Sequence, residues 1–449
     1  MSSLKSKAAP AIQCMELPWL EPERVFLAVA DDPYTVFLDS AAPGDKRSKI
    51  SYICLNPFDV LELKPDEDDP FAMVESWLES ARPCHQRPAA WPFPFAGGAV
   101  GWLGYDAGRA AMGLASRFAP MPGLPGGWFG LYETIIGFDL AAQRAFLLAP
   151  ETELAALAAR LRVANVFPPP PARPAWQPEL TRAEYEARIE RLREYISAGD
   201  IYQANFTMRF TAPRPEDFVP AAYYAALRQR SPAPFAAYIG CGDGVAICGA
   251  SPERFLRLTA DGRVETRPIK GTASRHADAA ADAASIAALL ASPKERAENL
   301  MITDLLRNDL GQVCETGSIT VPELFAIESF AQVHHLVSAV TGRLRSGLGA
   351  VDLLRACFPG GSITGAPKRR AMEIIDELEE GPRGAYCGTL AWIGFDGAMD
   401  SAIIIRSLLA TGETLFAQAG GGITWDSNPA AEYDEMMLKV ANLLAVGHG

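Results

Sequence analysis

"TRAEYEARIERLREYISAGDIYQANFTMRF", residues 181–210, changes its hydrophobic period half-way along. Thr181 and Glu184 have the spacing of a capping box, Tyr185, Ile189, Leu192 and Ile196 recur at three- and four-residue intervals, and Gly199 closes the run. That pattern predicts an amphipathic helix. From there Tyr202, Ala204, Phe206, Met208 and Phe210 alternate with Gln203, Asn205, Thr207 and Arg209. A period of two predicts a strand with one buried face, with Gln203 on the polar side.

Upstream, "VFPPPPARPAWQPEL" (166–180) favours an extended polyproline segment and marks a boundary. It divides an N-terminal region, 1–165, from a region 181–449. The N-terminal part carries short strand-like runs, "RVFLAVA" (24–30), "YTVFLDS" (34–40) and "ETIIGFDL" (133–140). Downstream, the alanine-rich "HADAAADAASIAALLAS" (276–292) predicts a surface helix, and no internal repeat is present.

Composition excludes several classes of partner. The 449 residues are 49% hydrophobic, enough for a substantial core, and the formal charge is −13. Nucleic acids and anionic membranes both require a basic face, so neither is expected. No apolar run has the length of a membrane span, and "MSSLKSKAAPAIQC" lacks the apolar core of a signal peptide, so a cytoplasmic location is expected. The eight cysteines form no C-x-x-C and do not cluster with the five histidines. Neither a zinc site nor a disulfide framework is suggested.

Four stretches of the second region carry candidate chemistry. In "SPKERAENLMITDLLRNDLG", Ser292 and Pro293 start a helix, and Glu295 and Glu298 follow on one face. "DSNPAAEYDEMMLKVANLL" repeats the arrangement with Asn428, Pro429, Glu432 and Glu435. Either pair alone reads equally well as first-turn carboxylates facing a helix dipole, with Glu435 also within i+4 reach of Lys439. Two such pairs on separate helices would repel unless a cation lay between them, and all-oxygen donors suit Mg²⁺. "FPGGSITGAPKRRAMEIIDELEEG" is a glycine-rich turn before a helix, but Gly365 is followed by Ala366 and Pro367 rather than the Lys-Ser/Thr of a phosphate loop. Its amides either serve a structural turn or attract a carboxylate. Finally "GAYCGTLAWIGF", "DSAIIIRSLLA" and "TLFAQAGGGIT" read as a strand meander with an Asp396-Gly397 hairpin turn. Within it, a buried Arg406 requires a protein or a substrate carboxylate.

Taken in order, "FLDS" (37–40), "GDIYQANFT" (199–207), "SPERF" (251–255), "PIKGT" (268–272), "AENLMITDLLRNDLG" (297–311), "HLVS" (335–338), "GGSITGAPK" (360–368), "IRS" (405–407), "AGGGIT" (419–424) and "EYDE" (432–435) resemble the chorismate-utilising enzymes over essentially the whole chain. The resemblance implies an α+β fold of two large, mainly antiparallel sheets packed as a sandwich with helices outside, the two regions forming one intimate fold. It implies a Mg²⁺-dependent site. Glu298 and Glu435 would contact the metal, with Glu295 and Glu432 in support. Tyr386, Arg406 and amides of a Gly420, Gly421 and Gly422 loop would hold the enolpyruvyl carboxylate of chorismate, with Thr272, Ser362 and Thr364 among the substrate contacts.

Within that family, the branch is indicated at two positions. Isochorismate-forming members carry a water-activating lysine where this chain has Gln203, and anthranilate synthases typically carry alanine where it has Lys270. A lysine there resembles the nucleophile of the branch that aminates chorismate at C4, with Glu253 as the acid for the departing hydroxyl and His335 as a further catalytic candidate. A lowered amine pKa is then required, from burial or from a nearby cation such as Arg275. No cysteine lies in the G-x-C-x-G turn of a glutamine amidotransferase, so a separate glutaminase subunit is implied as the ammonia source. Ser40, Pro234 and Phe235 resemble the pocket in which relatives hold tryptophan. The alternatives are an anthranilate synthase component I and, in another class, a catalytically silent tryptophan-sensing subunit, which retention of Lys270 and the four carboxylates disfavours.

Overall fold

The helix predicted after Thr181 spans Arg182–Ser197, closed at its start by a reciprocal capping box between Thr181 and Glu184. The structure, a computed structural model, describes residues 11–447 apart from 43, 46, 82–86, 163–168, 170 and 330–332. Residues 166–168 and 170 of the proline-rich boundary therefore lie outside the described residues, and its described remainder contains no helix. Near its end the chain already returns to the sheet, since Gln177–Pro178 pairs with the strand Gln203–Pro213.

That strand is internal to a twelve-stranded sheet, paired with Thr414–Ile423 on one side and Gly365–Ala366 on the other. The sheet continues through Ser407–Ala410, Val245–Ser251 and Phe235–Gly242 into Val36–Asp39, Ile50–Leu55, Thr134–Asp139, Arg144–Pro150 and Ile12–Leu17. A second, ten-stranded sheet likewise runs from Ile269–Ser274 and Val333–Arg343 to Gly98–Leu103, Gly127–Tyr132 and Asp59–Leu63. Every pairing is antiparallel among the described strands. Both sheets draw strands from both sides of the boundary, so the regions share their hydrogen-bond ladders.

The core has three parts, matching four layers. Tyr52, Ile135 and Leu148 of the first sheet meet Val100, Trp102 and Trp128 of the second. On the outer face of the first sheet Phe206 and Met208 pack with Tyr185, Ile189, Met436 and Val440 from helices. Outside the second, Phe129 and Leu256 pack with Phe71, Leu310 and Leu354. A sandwich with helices outside is what the resemblance implied.

Four local expectations are corrected. "RVFLAVA" belongs to a helix, Pro22–Val29, because Pro22 fits its first turn and Val25, Phe26 and Val29 fall on one buried stripe. The polar side of Gln203–Pro213 is buried too: Gln203, Asn205 and Thr207 are enclosed, Thr207 donating to Glu379 Oε1 at 2.6 Å. Gly420–Gly422 form no loop but continue the strand Thr414–Ile423, opposite Asn205, Phe206 and Thr207. Arg406 lies outside the strands, at a bend between Met399–Ile403 and Ser407–Ala410, with φ of 51° and an exposed side chain. The helix Ala279–Ala291 forms as expected, capped by Asp278. The seven described cysteines are free thiols, and no described helix is long and apolar enough to cross a membrane.

Candidate active site

Lys270 sits on the strand Ile269–Ser274, at the end of the second sheet, where its pairing with Val333–Arg343 slips between Ile269 and Thr272. Such a bulge re-aims a side chain, and the next residue, Gly271, takes φ of 88°. A Cβ there would stand 2.9 Å from Glu295 Oε2. The amine reaches across to the first sheet: a Cβ on Gly422 would lie 3.3 Å from Lys270 Nζ and 2.5 Å from Gln203 Nε2. Glycine at 422 leaves that space open. Lys270 makes no hydrogen bond or ion pair among the described residues, and both amide atoms of the fully buried Gln203 lack a partner. Burial lowers the pKa of the Lys270 amine against the pull of Glu298 and Glu253, with help from Lys439. Arg275 has no part in this, being committed to Asp282 at 3.0 Å.

Glu253 lies in the link between Val245–Ser251 of the first sheet and Arg254–Leu258 of the second, within electrostatic reach of this amine. Desolvation raises its pKa, opposed by a hydrogen bond from Ser362 and by the charges of Lys270 and Arg406. A carboxylic acid that keeps its proton more readily than usual is suited to donating one. His335 faces the same space. Its Nδ1 is 2.9 Å from Thr272 Oγ1, and burial, Arg406 and Arg47 push its pKa down to about 4, so it is neutral near pH 7. His334 points the other way, as alternation along a strand requires, and is held by Ser329 and Asp282. The two histidines therefore do not act as a pair.

Tyr386 precedes its strand in a turn rather than lying within it. Its segment is tied to that of Arg406, Cys387 N–H bonding Ile404 C=O at 2.8 Å and Ile404 N–H bonding Gly388 C=O at 2.9 Å. Arg406 makes no ion pair among the described residues, and desolvation lowers its pKa against the attraction of Glu253. A guanidinium without an ion-pair partner among the described residues is available to a ligand carboxylate. Thr364 is different: it is fully buried with Oγ1 donating to Gly360 C=O, so its hydroxyl braces the glycine turn. Lys368 of the same stretch is likewise structural, bonded to Asp309 and to Cys357 C=O.

The four helix carboxylates converge. Ser292 caps the helix Pro293–Gly311 through the Glu295 N–H, while the Glu295 side chain turns to Gly271. Desolvation raises the pKa of Glu298, with Glu295 and Glu432 adding repulsion, and likewise that of Glu432, with Glu435 adding repulsion. Glu435 instead forms a 2.7 Å ion pair with Lys439 and, despite desolvation, is held below its ordinary value. Among the described residues no three His, Cys, Asp or Glu side chains form a ready-made metal cage. Mutually repelling oxygen donors supplying only part of a shell fit an ion that retains water and takes ligands from its substrate, as Mg²⁺ does.

One organiser was not singled out in the sequence. Arg383, fully enclosed, is paired with Glu379 and donates to Ile363 C=O and Asn205 C=O, while Glu379 also accepts from Thr207. It joins the glycine turn, the Gln203 strand and the Tyr386 turn. Only the apolar burial of "EEGPRG" distinguishes it from a surface charge run, and that is a tertiary property. Ser40, Pro234 and Phe235 come together elsewhere, lining a cavity of 490 Å³ with Arg47, Arg254 and Asp400.

Residues 34–445 match the model of the chorismate binding enzyme family. The chain is 42% identical to aminodeoxychorismate synthase component 1 of Klebsiella aerogenes, over 96% of this chain and 98% of that protein. To anthranilate synthase component 1 of Streptomyces coelicolor it is 36% identical, over 99% and 92%. The crystal structure of anthranilate synthase component I from Streptococcus pneumoniae superposes with a TM-score of 0.75 at 30% identity, covering 88% of this chain and 92% of that one.

Proposed function

The chain belongs to the chorismate binding enzyme family, and from that premise we propose that it is the chorismate-aminating component of an aminodeoxychorismate synthase, converting chorismate and ammonia to 4-amino-4-deoxychorismate. The observation that carries this choice is Lys270, an amine of lowered pKa and without an ion pair among the described residues, carried on a bulged strand of the second sheet and reaching Gly422 of the first. Lys270 Nζ attacks C2 of chorismate, both double bonds of the ring diene shift by one position, to C1=C6 and C4=C5, and the C4 hydroxyl departs as water with a proton from Glu253. Ammonia then adds at C4, both double bonds shift back, and the C2–N bond breaks to return the lysine, one proton of the new C4 ammonium passing to the departing nitrogen. The balance is chorismate plus ammonia to product plus water, and two allylic substitutions give retention at C4.

Arg406 and Tyr386 orient the enolpyruvyl carboxylate, with amides of the glycine strand, and neutral His335 donates or accepts a hydrogen bond without competing as a cation. Glu298 and Glu435 would hold Mg²⁺, supported by Glu295 and Glu432; bound there, it would neutralise the ring carboxylate of the substrate. Ammonia would come from a glutamine amidotransferase subunit, as the designation of the relatives as component 1 invites. The cavity at Ser40 and Phe235 is the place where tryptophan would bind. Incubation with chorismate, ammonium and Mg²⁺ followed by product analysis tests the reading. 4-Amino-4-deoxychorismate is expected; anthranilate as the main product would replace it with the sister activity.

A further inference from the structure

A cleft of 370 Å³ on another part of the molecule shares no wall residue with the candidate active site or with the cavity at Ser40. It is walled by the segment 64–70, the first turns of the helix Tyr105–Ala111, the loop 113–126 and residues 382 and 384. Its floor carries one carboxylate. Asp106 Oδ2 accepts a single 3.2 Å hydrogen bond from the Gly384 N–H, and no other bond to this side chain occurs among the described residues. Arg109, one turn on, does not neutralise it, because its guanidinium is committed to Met372 C=O, Ala115 C=O and Asp376. Desolvation raises the acid to about 6 despite the Gly384 bond and the charges of Arg109 and Arg383. A poorly solvated carboxylate is stabilised by an incoming cation that also donates hydrogen bonds.

The rim and walls restrict that cation further. On the segment 64–70 Asp66, Glu67 and Asp68 outnumber Lys64, and the other lining cation, Arg109, is paired with Asp376, which leaves a net negative field that concentrates cations and repels dianions such as chorismate. Leu114, Phe118, Met121 and Leu124 supply an apolar wall, and the volume suits an organic molecule rather than a bare ion. We infer that this cleft is a second small-molecule site, taking a primary amine carried on an apolar or aromatic body, with its ammonium on Asp106 and its body against Phe118 and Met121.

The position connects the cleft to the chemistry. The Gly384 peptide is held from both sides by the start of one helix, its N–H by Asp106 and its C=O by the Tyr105 N–H at 2.8 Å. Gly384 has φ of 57°, and a Cβ there would stand 2.4 Å from Met121 Sδ in the cleft wall, so glycine is favoured and the turn packs directly on the cleft. Arg383, the organiser of the active site, precedes it, and Tyr386 follows two residues later. An ammonium on Asp106 competes with the Gly384 N–H for the same oxygens, and the displacement is felt at Tyr386. This coupling rests on the proposed function; binding to the cleft does not.

The test titrates benzylamine and its neutral analogue benzyl alcohol into the full chain near pH 7.5, with binding followed by calorimetry and ligand-detected NMR. Benzylamine is expected to bind saturably and about tenfold or more tightly than benzyl alcohol, the worth of one hydrogen bond to a charged group. Asp106→Asn should remove that preference, and Ala119→Trp, which fills the cleft from an exposed wall position, should remove binding of both. Equal affinity for amine and alcohol, or benzylamine binding that survives in Ala119→Trp, overturns the site; the second variant decides the matter should the first not fold. In turnover, benzylamine should raise the chorismate KM of the parent and not of Asp106→Asn. Binding without that shift overturns the coupling, whereas absence of turnover under every condition counts against the proposed function and leaves the binding result intact.

Discussion

Lys270 and His335 owe their chemistry to surroundings that no neighbour in sequence supplies. Lys270→Ala is expected to lower turnover far more than it lowers chorismate affinity, because Arg406 and the carboxylates are untouched; equal losses in single-turnover and binding experiments would make the amine a binding group only. Glu253→Gln should cost roughly 10²–10⁴-fold in turnover as the loss of a general acid. The pH dependence of stability separates two other groups by sign. With His335 at about 4 when folded against an ordinary 6.5, the unfolded chain takes up a proton that the folded chain refuses, so stability is lost as pH falls from 6.5 towards 4. Asp106, at about 6 against an ordinary 3.8, acts oppositely: its contribution is present at low pH and lost as pH rises through 6. Urea midpoints between pH 4.5 and 7 should therefore show His335→Asn less acid-sensitive than the parent and Asp106→Asn more so.

Elements decide where those residues point. The bulge before Thr272 turns on Gly271, whose left-handed backbone and close approach to Glu295 strain any side chain placed there. Gly271→Ala should cost about 1–3 kcal/mol of stability in urea unfolding and also depress turnover, since relief of the strain moves Lys270. Loss of stability with full turnover would mean that the lysine's aim is set elsewhere. At this scale the sequence was legible where period and caps agree: the helices after Thr181, Ser292 and Asn428 all begin at their expected caps. It misled where a short apolar run has no clear period, as at "RVFLAVA". It also misled where alternation was taken for a half-exposed strand, because the polar side of Gln203–Pro213 is covered by the Glu379–Arg383 network.

The whole molecule holds together through ladders shared across the proline-rich boundary. Fragments 11–162 and 171–447 should each lack cooperative unfolding alone and recover it on mixing, because each breaks both sheets; a cooperatively folding single fragment would show two separable domains. The carboxylate cluster makes a second prediction. Glu298→Gln should leave the metal-free unfolding midpoint unchanged or higher, since it removes mutual repulsion, yet abolish the Mg²⁺-supported reaction. Full turnover in excess chelator would sink the metal assignment.

By itself the sequence determined the caps, the periodic elements, the acidic composition and the ordered motifs that mark the family and single out Lys270, Glu253 and the two carboxylate pairs as candidates. Those are local properties, set by side-chain spacing along a single element. The tertiary structure decided which polar residues are enclosed: the unpartnered amide of Gln203, the Arg383–Glu379 organiser, the inward turn of Thr364 and the separation of His334 from His335. Desolvation depends on what packs against a group from distant parts of the chain, and so does every pKa on which the proposed chemistry rests.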